Sequence, residues 1–128
     1  MKAEIKQRWL EKLRSGQIPQ ARGVLRTEEG GMCCLGVLLD VISPNGWTGP
    51  IKDEDRPCRI HGHRMATGSH DFIEGIDRQR LGLTADVRNE EREYQTTVAH
   101  YLAFMNDEGK SFAQIADWIE ANIPADAA

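Results

Sequence analysis

Long hydrophobic runs are missing from this sequence. No apolar stretch approaches the roughly 18 residues that a membrane-spanning helix needs, and the start, Met1-Lys2-Ala3-Glu4-Ile5-Lys6, turns amphipathic at once without an apolar signal core. Cysteine is scarce as well: three residues, two of them adjacent, form no disulfide framework. Cys33 and Cys34 are poor partners for each other, because vicinal bridging closes a strained eight-membered ring. An odd cysteine count with no signal peptide points to a reducing, cytoplasmic setting and to no membrane association. Aromatics make up only 6% of the chain. There is no phosphate-loop lysine, no dinucleotide fingerprint, no paired Cys-x-x-Cys, no internal repeat and no low-complexity tract. No cofactor is expected.

What is present is an ordinary globular composition, 40% hydrophobic and 28% charged. A chain of 128 residues suits one domain, 1–128, whose folding buries roughly two-thirds of the surface its unfolded chain exposes. The net charge of −4 hides an asymmetry: residues 1–27 carry seven Lys or Arg against two Glu, whereas residues 105–128 carry one against five. A basic start of this kind is the solvated side of a helix or a surface for phosphates or acidic partners.

Residues 3–15 form an amphipathic helical pattern, with Ile5, Trp9, Leu10 and Leu13 on one face and Ser15-Gly16 as the stop. Residues 21–27 alternate and predict a short strand, and Glu28-Glu29-Gly30-Gly31 a flexible turn. Residues 32–42 then make a helix that is apolar nearly all round and belongs at the centre of the fold. Gly36 inside it implies that another element packs tightly there. Asp40 is its single charge: either Arg22 or Arg26 pairs with it, or it marks a solvent-facing edge. Residues 43–71 are irregular, with two short strands near 47–52 and 59–65 that can pair with 21–27. Further helices are expected at 71–81, at 91–105 after a charged connection over 84–90, and after the Ser111–Gln114 capping box. The fold class is α+β: about four helices around a small antiparallel β-sheet.

Two thiols at the first turn of a helix carry the sharpest chemistry. A helix N-terminus offers free amide donors and the positive end of a dipole, which can activate a cysteine. On that reading Cys33 or Cys34 is the nucleophile of a small hydrolase or transferase, His61, His63, His70 or His100 is its base, and Gln20 donates to an oxyanion. The same residues equally describe a buried apolar helix, since free cysteine behaves as a small hydrophobe. Cys58-x-x-His61-x-His63 with His70 offers zinc-ligand types without the usual spacing. Lys6, Arg8, Lys12 and Arg14 on the first helix suggest a nucleic-acid-binding regulator, although no stacking aromatics interleave them.

The pattern Trp9-x-x-x-Leu13-Arg14-Ser15-Gly16, Gln20, Gly23, Leu25, then Cys33-Cys34-Leu35-Gly36-Val37-Leu38 with Asp40, resembles a group of small bacteriophage and prophage proteins. The ending Met105-Asn106-Asp107-x-Gly109-x-Ser111-Phe112-x-x-Ile115-Ala116 is similar to theirs too. The resemblance covers both ends of the chain and skips much of residues 43–90. It implies a phage accessory protein made inside a bacterial cell, and carries no catalytic residue set with it. Proteins of that origin commonly inhibit or redirect host machinery, including CRISPR–Cas defence. The expectation is a non-enzymatic, anti-CRISPR-like accessory protein that binds a host protein or ribonucleoprotein. Its contact surface is expected in 43–71, through Trp47, Arg56, Arg59 and Arg64.

Overall fold

Nine residues from Cys34 to Ile42 build the helix on which the rest is assembled. A computed structural model of the chain describes residues 1–53, 56–61 and 75–126; the side chains of 49–53, 56–61 and 75–77 stand outside that description. The elements in chain order are α1 (Ala3–Arg14), β1 (Arg26–Thr27), α2 (Cys34–Ile42), β2 (Trp47–Asp53), β3 (Arg56–His61), α3 (Gly75–Arg80), β4 (Asp86–Asn89), β5 (Tyr94–Thr97), α4 (Val98–Asp107) and α5 (Phe112–Asn122). The fold is α+β, with two small antiparallel sheets.

Every residue of α2 from Cys34 to Leu39 is buried. Its apolar circumference is covered by α1 through Trp9 and Leu13 and by α4 through Val98, Leu102 and Met105, while α5 packs on α1 and α4 and adds Ile115 and Ile119 to the same core. Trp9 is fully buried, and its indole N–H donates to Cys34 O at 2.9 Å, which joins α1 to the first turn of α2. Gly36 is where the preceding segment crosses: a methyl group there would collide with Leu25 O. The tight packing that Gly36 implies is therefore made by backbone, which no side chain can move aside.

The segment 21–27 departs from the expected strand. Only Arg26–Thr27 is β-structure, pairing with Arg59 and Cys58 of β3. The rest wraps around Met32, with Ala21 N–H donating to Met32 O at 2.8 Å and Met32 N–H to Pro19 O at 2.9 Å. Gly23, at φ 75°, lets the chain turn away from any ladder. β3 lies between β1 and β2 in the larger sheet, and β2 pairs with it from Trp47↔His61 to Asp53↔Arg56 with an irregularity between Thr48 and Ile51.

The helix expected over 91–105 starts instead at Val98. Residues 94–97 are β5, paired with β4 in a hairpin from Asp86↔Thr97 to Asn89↔Tyr94. Tyr94, Thr96 and Thr97 favour extended backbone, and Thr97 then caps α4 by accepting from His100 N–H. Five helices are present among the described residues, where about four were expected. α5 opens with the Ser111–Gln114 capping box complete in both directions. No helix among the described residues is long and apolar enough to cross a membrane.

Candidate functional site: a closed helix N-terminus and an open aromatic face

The first turn of α2 is a sealed structural joint. Cys33 is the N-cap, 6% exposed, its Sγ accepting from Gly36 N–H at 3.4 Å. Cys34 is fully buried and its Sγ donates to Leu102 O at 3.5 Å. Burial pushes the Cys33 thiol up from its ordinary 9.0 to about 11, with the amides of Gly36 and Leu35 opposing only part of that. The Cys34 thiol is raised well above the same value, by burial first and by Cys33 next. Desolvation thus outweighs the helix dipole, and both sulfurs stay protonated at neutral pH.

The other donors of that turn are spent within the fold. Asn106, 0% exposed, sits at the end of α4 and reaches across. Its Oδ1 accepts from Cys34 N–H at 3.1 Å and from Gln20 Nε2 at 2.9 Å, and its Nδ2 donates to Ala21 O at 2.7 Å. Gln20 Nε2 also donates to Lys110 O at 2.8 Å, and Gly23 N–H to Asp107 Oδ1 at 3.0 Å. Gln20 is thereby a tie between two segments, not an oxyanion donor facing a pocket. His100 is exposed at the start of α4, its Nδ1 2.8 Å from Thr97 Oγ1. The structure brings Cys34 and Gln20 together on the Asn106 amide oxygen, next to Cys33, and packs them as a joint. Asn106 is given no site role by the sequence, where it stands only within the terminal pattern, and the fold is what aims its amide inward.

Trp47 is half-buried where an exposed anchor was expected. Its indole N–H donates to Asp40 Oδ1 at 2.9 Å, and the Arg26 guanidinium lies over its ring at 5.4 Å. Arg26 Nη1 is 3.8 Å from Asp40 Oδ1, so Arg26 is the partner that the single charge of α2 required. Arg26 Nε is the one buried side-chain polar atom without a hydrogen bond among the described residues. Arg56, Arg59, Cys58 and His61 fall within β3, and their side chains lie outside the description; Arg64, His63 and His70 lie outside the described residues altogether. On α1, Arg14 is held by Asp117 at 2.7 Å and Glu120 at 3.3 Å of α5, and Lys6 Nζ donates to Glu120 O. Two of the four cations proposed to meet nucleic acid are therefore turned to the neighbouring helix.

A group of half-buried aromatic side chains lies on α4 and α5. Tyr101 and Phe104 stack at 6.2 Å with 14° between their planes, and Tyr101 meets Trp118 at 5.2 Å and 59°. All three are half-buried. The β4–β5 turn abuts them: Arg92 lies over Phe104 at 5.5 Å and pairs with Glu108 at 2.7 Å. Tyr94, 45% exposed, follows that turn directly. Four of the chain's eight aromatic residues thus lie on this face or at its edge. Burial, then the negative charges of Glu91 and Glu90, raise the Tyr101 hydroxyl pKa.

A family model described as a domain of unknown function (DUF8296) matches residues 1–123. The chain belongs to the DUF8296 family. The matched span takes in all five helices and both sheets, so the joint at Asn106 and the aromatic face both fall within the family's domain. No curated protein and no solved structure matches the chain.

Proposed function

We propose that this DUF8296 protein is a non-enzymatic binding protein that engages another protein across the α4–α5 face. One observation carries the reading: Tyr101, Phe104 and Trp118 form a contiguous, half-exposed aromatic ledge beside an arginine. Tyrosine, tryptophan and arginine are the side chains that most often anchor protein interfaces, because they combine large apolar area with polar tips at low entropic cost. In a chain with so few aromatics, leaving these half-wet forgoes burial that the core would otherwise gain. A competing thiol-based activity draws no support from the helix N-terminus, where both sulfurs are buried and kept protonated.

The resemblance to small phage accessory proteins supports a partner inside a bacterial cell, with host defence machinery as one class of target. The test is a pair of tagged proteins, the native chain and a Tyr101→Ala/Trp118→Gln variant, used to capture partners from bacterial lysate. Capture of one stoichiometric protein by the native chain and its loss in a variant with unchanged circular dichroism is the expected result. Equal capture by both proteins would move the surface elsewhere. Recovery of the native chain alone from several host lysates would defeat the binding reading.

A further inference from the structure

The aromatic ledge is set in a strongly acidic part of the molecule. Residues 86–126 carry nine Asp or Glu against three Lys or Arg. Two of those cations are engaged: Arg92 with Glu108 at 2.7 Å, and Arg88 with Glu90 at 3.5 Å. Glu91 and Glu93 at the β4–β5 turn are exposed and have no ion-pair partner among the described residues. Glu93 moreover sits at φ 58°, a left-handed conformation that L-residues other than Asn and Asp rarely adopt. Such strain persists only where the surroundings hold it. Here the turn is pinned by Asn89, whose main-chain oxygen accepts from Glu93 N–H at 2.7 Å and whose Oδ1 accepts from Arg92 N–H at 3.1 Å.

The chain already shows which chemistry this face accepts. Arg92 lays its guanidinium on the Phe104 ring while a carboxylate, Glu108, takes its N–H groups end-on. The same two ingredients recur one turn of α4 away: the half-buried Tyr101–Trp118 pair, its rings in tilted contact at 5.2 Å, and Glu91, exposed beside Arg92 on the turn that abuts the ledge. There the Glu91 carboxylate has no ion-pair partner among the described residues, whereas Glu90 already faces Arg88.

We propose that the partner docks on the α4–α5 face through an arginine-bearing basic segment, one guanidinium stacking on the exposed part of the Tyr101–Trp118 pair with Glu91 as counter-charge. The proposal rests on the binding reading above and names the partner for that site. Arginine is favoured over lysine because its planar guanidinium stacks on a ring and bonds a carboxylate at the same time, whereas an ammonium does so as a point charge. A nucleic acid is disfavoured on this face, since its phosphates would meet the same carboxylates.

The test is a titration of the full chain with a ten-residue peptide alternating Arg and Ser, followed by the Trp118 indole N–H resonance, with Lys–Ser and Glu–Ser peptides alongside. The Arg peptide is expected to shift that resonance saturably and to bind at least about threefold tighter than the Lys peptide, because a guanidinium stacks and bonds a carboxylate together where an ammonium offers only a point charge. Glu91→Gln, a surface change, is expected to weaken the Arg peptide while leaving the melting temperature unchanged. Equal response to Arg and Lys peptides, or shifts confined to other faces, would overturn the proposal. So would a shift of Trp118 produced by raising the chain's own concentration and abolished by Arg8→Glu, which would assign the face to a second copy. Loss of lysate capture in the Tyr101/Trp118 variant without any peptide response would keep the binding surface and discard the basic partner. Capture unaffected by that variant would remove both.

Discussion

Cys33 shows how one residue's environment decides between two chemistries that share a sequence. Placed at a helix N-cap, a thiol gains from nearby amides; placed there at 6% exposure, it loses more by desolvation. The folded thiol therefore holds its proton more tightly than the unfolded one. Stability is intact below about pH 9 and declines as pH rises towards 11, where the shift from 9.0 to about 11 corresponds to a loss of about 3 kcal/mol. Cys33→Ser keeps an acceptor for Gly36 N–H, and serine is a favoured N-cap. Urea unfolding between pH 8 and pH 10.5 is expected to give a flatter stability profile for Cys33→Ser than for the native chain. Parallel profiles would show that Cys33 is not the group losing its proton. Which of the two readings of Cys33-Cys34 applies is undetermined by the residues themselves, because both place the thiols at the start of an apolar helix.

At the scale of elements, the β4–β5 hairpin is the clearest lesson. Residues 91–105 satisfy a helical pattern in their second half, and the apolar positions Val98, Leu102 and Met105 are buried as that pattern implies. The first half is claimed instead by pairing with β4, a cross-strand contact that helical periodicity does not encode. The turn is closed by Asn89, fully buried, with Glu93 in the left-handed region where glycine is the usual occupant. Glu93→Gly relieves a strain of about 1 kcal/mol, part of which the greater freedom of glycine in the unfolded chain cancels. A net gain of about 0.5 kcal/mol, read as a raised urea midpoint with unchanged slope, is expected. A lower midpoint would mean that the glutamate side chain is held by more than its backbone conformation indicates. The strand expected over 21–27 is the opposite case: its alternation is real, yet its hydrogen bonds go to Met32 and to Asn106 and Asp107, so it folds as a wrap.

For the whole molecule, Asn106 is the point through which distant segments are joined. It connects the end of α4, the first turn of α2 and the 20–21 segment, separated by 72 to 86 residues in sequence, with three short hydrogen bonds in a buried site. Asn106→Ala leaves Cys34 N–H and Ala21 O buried without that partner, a cost of about 3 kcal/mol or more. The expected outcome is a large fall in urea midpoint, with native-state hydrogen exchange quickening at α2, α4 and the 20–27 wrap together. Quickening confined to the end of α4 would show that the joint is local. Charge is also arranged at this scale: the basic α1 and the acidic α4–α5 region meet where Arg14 bridges to Asp117 and Glu120, an exposed pairing that contributes little to stability.

The amino-acid sequence by itself determined the α+β class, a buried central helix expected over 32–42, the close packing at Gly36 and the capping box of α5, and it offered Arg22, Arg26 or a solvent-facing edge as the answer to Asp40. All of these follow from short-range rules: helical periodicity, glycine's missing side chain, the need of a half-buried charge for a partner, and the geometry of a helix start. Tertiary structure alone decided that the two thiols are sealed, that Gln20 and Asn106 form a joint, that Trp47 is packed under Arg26, and that Tyr101, Phe104 and Trp118 share one open face. These depend on which remote segments come within a few ångströms of one another. Desolvation, hydrogen-bond completion and aromatic stacking are properties of that proximity, which local sequence does not specify.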